Sequence, residues 1–304
     1  MNHYSVMLKQ SIDALEIKPD GIYIDGTLGR GGHSREILKR LDKGHLYTFD
    51  LDSQAIEESK ENLAEYLDKV TFIHDNYKNF DLYVDKADGI LLDLGVSSPQ
   101  FDQEERGFSY RFDSRLDMRM DDSQDLDACK VVNEYSEKEL SRIFEEYGEC
   151  RFARKVAARI VERRQEKAIE TTFELIEIIK SCLPERELNK KGHPAKQYFQ
   201  ALRIAVNHEL DSLEEFLNKI DKHLNVKGTV VIISFHSLED RIIKNRFREL
   251  CTDKDDKNLI LKQDEIEKAD FEYINRKPLI ADEKEISENS RSKSAKLRAV
   301  RKVK

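Results

Sequence analysis

The feature that most constrains this chain is a unit repeated near its start: a short apolar run, an abrupt stop at an acidic residue, then a helix. The run at 22–24 stops at Asp25 and opens into Gly26-Thr27-Leu28-Gly29-Arg30-Gly31-Gly32. Residues 34–41 follow with Ile37, Leu38 and Leu41 at helical spacing, and Gly44 closes them. A second apolar run, 46–49, ends at Asp50. The pattern then predicts a helix over 55–66, a third strand at 70–73 and a fourth at 89–92, apolar throughout as a strand buried on both faces should be. Strands alternating with helices predict an α/β chain with a doubly wound, Rossmann-like sheet.

Past about residue 104 the alternation stops. A capping box at Ser136 and Glu139 predicts one long helical segment toward Arg164, and a second at Thr171 and Glu174 opens a helix that Pro184 ends. Strand pattern returns only at 228–233, and two late segments, 271–274 and 296–300, are candidates for the last strands. The bracketing predicts an inserted, mainly helical domain at 105–210. The sheet domain would then be discontinuous, built from 1–104 and 211–304.

Composition narrows the class. With 39% apolar residues and 14 Phe, the 304-residue chain can bury a core, and no stretch approaches the roughly 20 apolar residues of a membrane span. The first ten residues lack the basic-then-apolar order of a secretory signal, and four scattered cysteines suit a reducing, cytoplasmic setting without disulfides. No CxxC or HExxH occurs, so no metal site is expected. The net charge of -8 argues against a polyanionic partner taken whole, but charge is unevenly spread. Residues 1–100 hold 11 basic and 18 acidic side chains, 151–210 hold 13 and 8, and 289–304 hold seven basic and no acidic ones. The last two regions could face nucleic acid or be solvated faces.

The glycine-rich turn, between a strand and a helix amino end, suits a nucleotide-like ligand. Asp50, 25 residues after Asp25, sits where a carboxylate in such folds takes both ribose hydroxyls. A tight structural turn with an Asp helix cap would look similar, and a dinucleotide is the rival ligand. Asp25 weighs against that rival: it would repel a pyrophosphate, whereas it could hold the amino group of a cationic ligand such as S-adenosyl-L-methionine. The only YxxxK match, Tyr273 to Lys277, precedes Pro278 in a strand-like segment and supports no hydride-transfer site. The fourth strand ends in Asp93-Leu94-Gly95-Val96-Ser97-Ser98-Pro99-Gln100-Phe101. Such a turn can accept hydrogen bonds from an exocyclic amine while its aromatic residue stacks on the base, although Ser-Pro is also an ordinary turn.

These segments resemble the bacterial 16S ribosomal RNA cytosine-N4 methyltransferases, the RsmH or MraW family, nearly end to end. The resemblance runs through HYSVML (3–8), DGTLGRGGHS (25–34), LLDLGVSSPQ (91–100), ERGFSY (105–110), LDMRM (116–120), FQALRIAVNHEL (199–210), ISFHSLEDR (233–241) and RSKSAKLR (291–298). Ser114-Arg115 and Gln197-Tyr198 depart from the family's usual Gly-Pro and Arg-Thr. The resemblance implies a class I methyltransferase sheet, with Gly31, Gly32 and His33 at the methionine part of S-adenosyl-L-methionine, Asp50 at its ribose, and Tyr77, Asp93 and Gln100 completing the site. It also implies a cytosine of 16S ribosomal RNA, in the small ribosomal subunit, as substrate.

Asp93, Ser98, Phe101 and His236 are the expected catalytic set at the sheet edge, with helix capping by Ser237 as the plain alternative for the neighbours of His236. A cytosine leaving its stack calls for aromatic and basic partners. Phe108, Tyr110 and Phe112, interleaved with Arg106, Arg111, Arg115 and Arg119, are candidates, as are Lys293, Lys296 and Arg298 in the tail; packing of the insert is the alternative for the aromatics. A second copy of the chain is kept as a candidate partner. Amino methylation of DNA or another RNA, and a cofactor-dependent RNA-binding module without catalysis, are the alternative functions.

Overall fold

The computed structural model describes residues 5–95, 104–253 and 267–304. Helix α1 (Leu8–Leu15) precedes β1 (Ile22–Asp25), α2 (Gly32–Leu38), β2 (His45–Asp50), α3 (Ser53–Asn62), β3 (Val70–His74) and β4 (Ala87–Asp93). After β4 come the helices of the middle region: α4 (Ala128–Glu134), α5 (Glu137–Glu146), α6 (Ala153–Glu166), α7 (Thr172–Cys182) and α8 (Lys196–Asn207). Helix α9 (Glu209–Leu217) then leads to β5 (Leu224–Ser234), α10 (Ser237–Leu250), β6 (Phe271–Tyr273), α11 (Glu283–Glu288) and β7 (Lys296–Lys302). The chain divides into two compact units, Met1–Gly95 with Leu210–Lys304, and Val96–Glu209.

The first unit carries one sheet in the order β3-β2-β1-β4-β5-β7-β6. Strands β1 to β5 pair in parallel, and β7 runs antiparallel to both β5 and β6. Alternation of side chains along each strand sends them to two separate cores. Tyr23, Leu46, Leu91 and Val231 join Leu15, Ile37, Leu38 and Leu63 on one face. Ile24, Phe49, Ile90, Leu92, Val230 and Ile232 join Phe80, Phe216 and Phe247 on the other. Burial on both faces is why these strands read as unbroken apolar runs, and it makes the sheet doubly wound. Both late segments are strands, β6 and β7.

The second unit is mainly helical, and both capping boxes are formed, at Ser136 with Glu139 and at Thr171 with Glu174. The single long segment expected toward Arg164 is two helices, α5 and α6. A Cβ on Gly148 would meet the Gln197 carbonyl oxygen at 2.8 Å, Glu149 turns left-handed at φ 49°, and the Cys150 N–H reaches back to the Phe144 carbonyl at 2.9 Å. Tertiary packing therefore breaks the helix at a place where its periodicity continues. The helix predicted over 55–66 likewise ends at Asn62, with a tighter 3-10 turn over Ala64–Tyr66.

Candidate functional site

The parallel strands end together: Asp25 pairs in register with Leu91, Asp50 with His74, and Asp93 with Ile233. Three carboxylates thus meet at the carboxyl edge of the sheet, around β1, where the strand order reverses and folds of this kind bind ligands. The glycine turn is tied to its neighbours by backbone bonds from Gly26 N–H to the Leu91 carbonyl and from Leu28 N–H to the Phe49 carbonyl, each 2.9 Å. Gly31 has φ 76°, a left-handed backbone that a side chain would strain, and α2 starts directly after it.

Each carboxylate has a distinct environment. Asp25, expected to face a cationic ligand, is buried and bonded inside the protein, taking the Ser34 hydroxyl at 2.6 Å and the Thr27 N–H at 3.2 Å. Burial pushes its pKa up to about 6, the Ser34 and Thr27 bonds offsetting part of that. Asp50 accepts the Gly29 N–H at 2.8 Å and the Asp52 N–H at 2.9 Å, so it braces the turn as well as facing any ligand there. Burial again raises its pKa to about 6, against those two bonds, with the charges of Asp52 and Asp25 adding. Asp93 donates its N–H to the Thr27 hydroxyl at 2.6 Å, but its buried Oδ1 has no hydrogen-bond partner among the described residues. Burial first, then the charges of Asp25, Glu239 and Glu285, hold its carboxyl well above the usual carboxylate range. A cation placed beside Asp93 would relieve both costs. Asp93, rather than Asp25, carries the open acceptor that a positively charged ligand needs.

A native pKa above the unfolded value means that the folded state holds the extra proton between about pH 4 and 6, so stability falls as pH rises through that window. Asp25→Asn cannot ionise and is expected to gain stability relative to the wild type from pH 4 to 7. Denaturant midpoints at the two pH values check this; an unchanged difference between the proteins would contradict it.

His33 is buried, its Nε2 3.1 Å from the Val6 carbonyl and its Nδ1 3.8 Å from Asp93 Oδ2. Tyr77 opens a short turn after β3, half-buried and edge-on to Phe216 at 5.7 Å. His236, not Ser237, caps α10: its backbone N–H donates to Glu239 Oε2 at 3.2 Å, and its Nδ1 accepts the Glu239 N–H at 3.5 Å. Ser98, Gln100 and Phe101 lie outside the described residues.

The nucleic-acid candidates fare differently. Phe108 is 4% exposed within the core of the second unit, which leaves its ring no face for a base. Arg106 donates to the Arg119 and Met120 carbonyls, and Arg119 grips Asp117 through two 2.8 Å bonds while also donating to the Asp122 and Gln124 carbonyls. Both arginines organise the loop they sit in. Arg115 is exposed but pairs with Asp127 at 2.8 Å, and Tyr110 stacks on His193 at 4.4 Å. Arg111 is exposed with no side-chain partner among the described residues. In the tail, Arg298 is buried and Lys296 half-buried in β7, both bound to Asp240 at 2.7 and 3.0 Å; Lys293 alone of the three tail candidates is exposed. Burial tends to raise the Asp240 pKa, but these two cations outweigh it and hold it low.

Sequence reasoning missed the roles of Ser34, Thr27 and Val6. Only the nine-residue separation of Asp25 and Ser34 hinted at their bond, and it needs the turn geometry to be read.

The model of the MraW methylase family matches residues 1–303. Similar solved structures include a putative rRNA-methylase from Clostridium thermocellum, 13% identical, covering 99% of this chain and 100% of that one with a TM-score of 0.47. An rRNA methylase from Streptococcus thermophilus is 13% identical over 100% and 99%, TM-score 0.44. A putative methyltransferase from Streptococcus mutans in complex with SAH is 15% identical over 99% and 100%, also at 0.44.

Proposed function

This chain belongs to the MraW methylase family, and from that premise we propose that it methylates the exocyclic N4 amine of a cytosine in 16S ribosomal RNA of the small ribosomal subunit. It is an S-adenosyl-L-methionine-dependent methyltransferase with a class I, Rossmann-like sheet. The family match over 1–303 is the observation that carries the reading, and the open, charge-crowded Asp93 acceptor fits a sulfonium cofactor. No described helix is long and apolar enough to cross a membrane.

When bound, the cofactor would supply a sulfonium-borne methyl group that the amine attacks in line, S-adenosylhomocysteine leaving as the sulfur–carbon bond breaks and the methylated amine then losing one proton. Asp50 has lone pairs left beyond its two backbone bonds, enough for the ribose hydroxyls. Gly31, Gly32 and His33 would hold the methionine end, and Tyr77, Asp93 and Gln100 would complete the site. The amine's lone pair is delocalised into the ring, so the protein's task is alignment, for which Asp93 and His236 are the proposed groups among the described residues; Ser98 and Phe101, of the same proposed set, lie outside them. Positioning of this kind supplies roughly 7–11 kcal/mol.

Methyl transfer from labelled cofactor to small subunits, naked ribosomal RNA and DNA tests the substrate; label entering DNA and neither RNA would overturn the reading. Among the described candidates, Arg111 and Lys293 are the exposed basic residues left open for a phosphate. Arg111→Ala is expected to flatten the slope of log RNA affinity against log salt by about one and to leave cofactor affinity alone. An unchanged slope would remove it from the interface.

A further inference from the structure

Helix α1 begins without a cap of its own. Met7, its first flanking residue, is fully buried in a left-handed backbone (φ 49°, ψ 36°), no side chain of its own segment caps the helix, and the first turn holds no acidic residue. The N–H groups at such an end need acceptors. One comes from a residue 278 positions away: Glu285 Oε1 takes the Met7 N–H at 2.7 Å and the Ser292 hydroxyl at 2.7 Å. Next to Met7, the Val6 carbonyl meets His33 Nε2, and a Cβ on Gly32 would lie 1.9 Å from Ser5 Oγ. Residues 5–7 therefore form a strap fixed to the carboxyl-terminal region on one side and to the glycine turn on the other. Val6, Met7, Ala281 and Ala295 share one apolar core with Ile37 and Leu38 of α2.

We propose that Glu285 is a positioning residue for methyl transfer, fastening the strap at residues 5–7 against the glycine turn and thereby holding His33 in the geometry the cofactor requires. This rests on the placement of the cofactor's methionine end at Gly31, Gly32 and His33. Glu285 acts through Met7, Val6 and His33, and its charge also reaches Asp93, which both Glu285→Ala and Glu285→Gln remove; loss of the strap alone, the difference between those two variants, should be felt in cofactor affinity and not in the rate at saturation.

The test uses the full-length protein with Glu285→Ala, Glu285→Gln, Ser292→Ala and, as a control on the cofactor placement, His33→Ala. Calorimetry with S-adenosylhomocysteine, steady-state kinetics on small subunits and hydrogen exchange over residues 5–15 are the readouts. Glu285→Ala is expected to raise the cofactor Kd and KM roughly tenfold with kcat within about twofold, and to speed exchange in the strap. Glu285→Gln keeps an acceptor oxygen and is expected to restore affinity to within about threefold of wild type; Ser292→Ala should shift it in the same direction as Glu285→Ala, by less. Lower melting temperature with unchanged cofactor Kd and KM in Glu285→Ala, while His33→Ala weakens binding, would overturn the strap's role and leave the cofactor placement standing. Unchanged affinity in both would overturn the placement itself. Should Glu285→Ala fail to fold, unchanged KM and exchange in Ser292→Ala would count against the strap.

Discussion

Asp50→Ala is expected to weaken binding of S-adenosylhomocysteine by roughly 1.5–3 kcal/mol, a ten- to hundredfold loss, because on the proposed placement it removes a half-buried carboxylate from two ribose hydroxyls. The same carboxylate braces the turn through the Gly29 and Asp52 N–H groups, so the variant also frees Gly29 in the middle of the loop. Both effects act on cofactor affinity. Asp50 lies at a strand end, outside the apolar cores on either face of the sheet, so the fold should survive the change. Titration calorimetry checks the first effect and circular dichroism the second. Unchanged affinity in a folded variant would mean that Asp50 serves the turn alone and that the ribose lies elsewhere.

Phe108→Ala is expected to cost roughly 3–5 kcal/mol of stability in the second unit, the usual range for removing a buried ring. The ring sits in the core with Leu116, Met118, Val131 and Phe199, and the Arg106 guanidinium lies 6.0 Å from its centroid. A stacking platform for a flipped base would behave in the opposite way, losing RNA affinity at unchanged stability. Denaturant unfolding and RNA binding on the same preparation separate the two outcomes. Full stability with weakened RNA binding would contradict the packing seen here.

The sheet was legible because a strand buried on both faces must be apolar throughout: Ile90, Leu91 and Leu92 announce β4 without help from any other segment. Helix starts were legible at Ser136 and Thr171, where each capping box is complete within four residues. What escaped the sequence depends on partners far away in it. The Gln197 carbonyl packs against Gly148 just past the end of α5, where a Cβ would not fit, and the tail cations Lys296 and Arg298 share the one carboxylate of Asp240 on α10. In the site, Asp50 and Asp93 stand out because each ends a strand. Asp25 ends one too, but its bond to Ser34 turns it inward, and no local pattern distinguishes it from Asp93. The Glu285 contact to Met7 joins the two ends of the chain, beyond the reach of any periodicity.

The central claim is the identity of the methylated atom. Small subunits lacking the modification, incubated with the protein and labelled S-adenosyl-L-methionine, can be digested to nucleosides and the labelled product identified by mass spectrometry. The account predicts N4-methylcytidine, formed by the wild type and strongly reduced with Asp93→Ala. Label in 5-methylcytidine, in a methylated adenosine or in a ribose methyl group would contradict it.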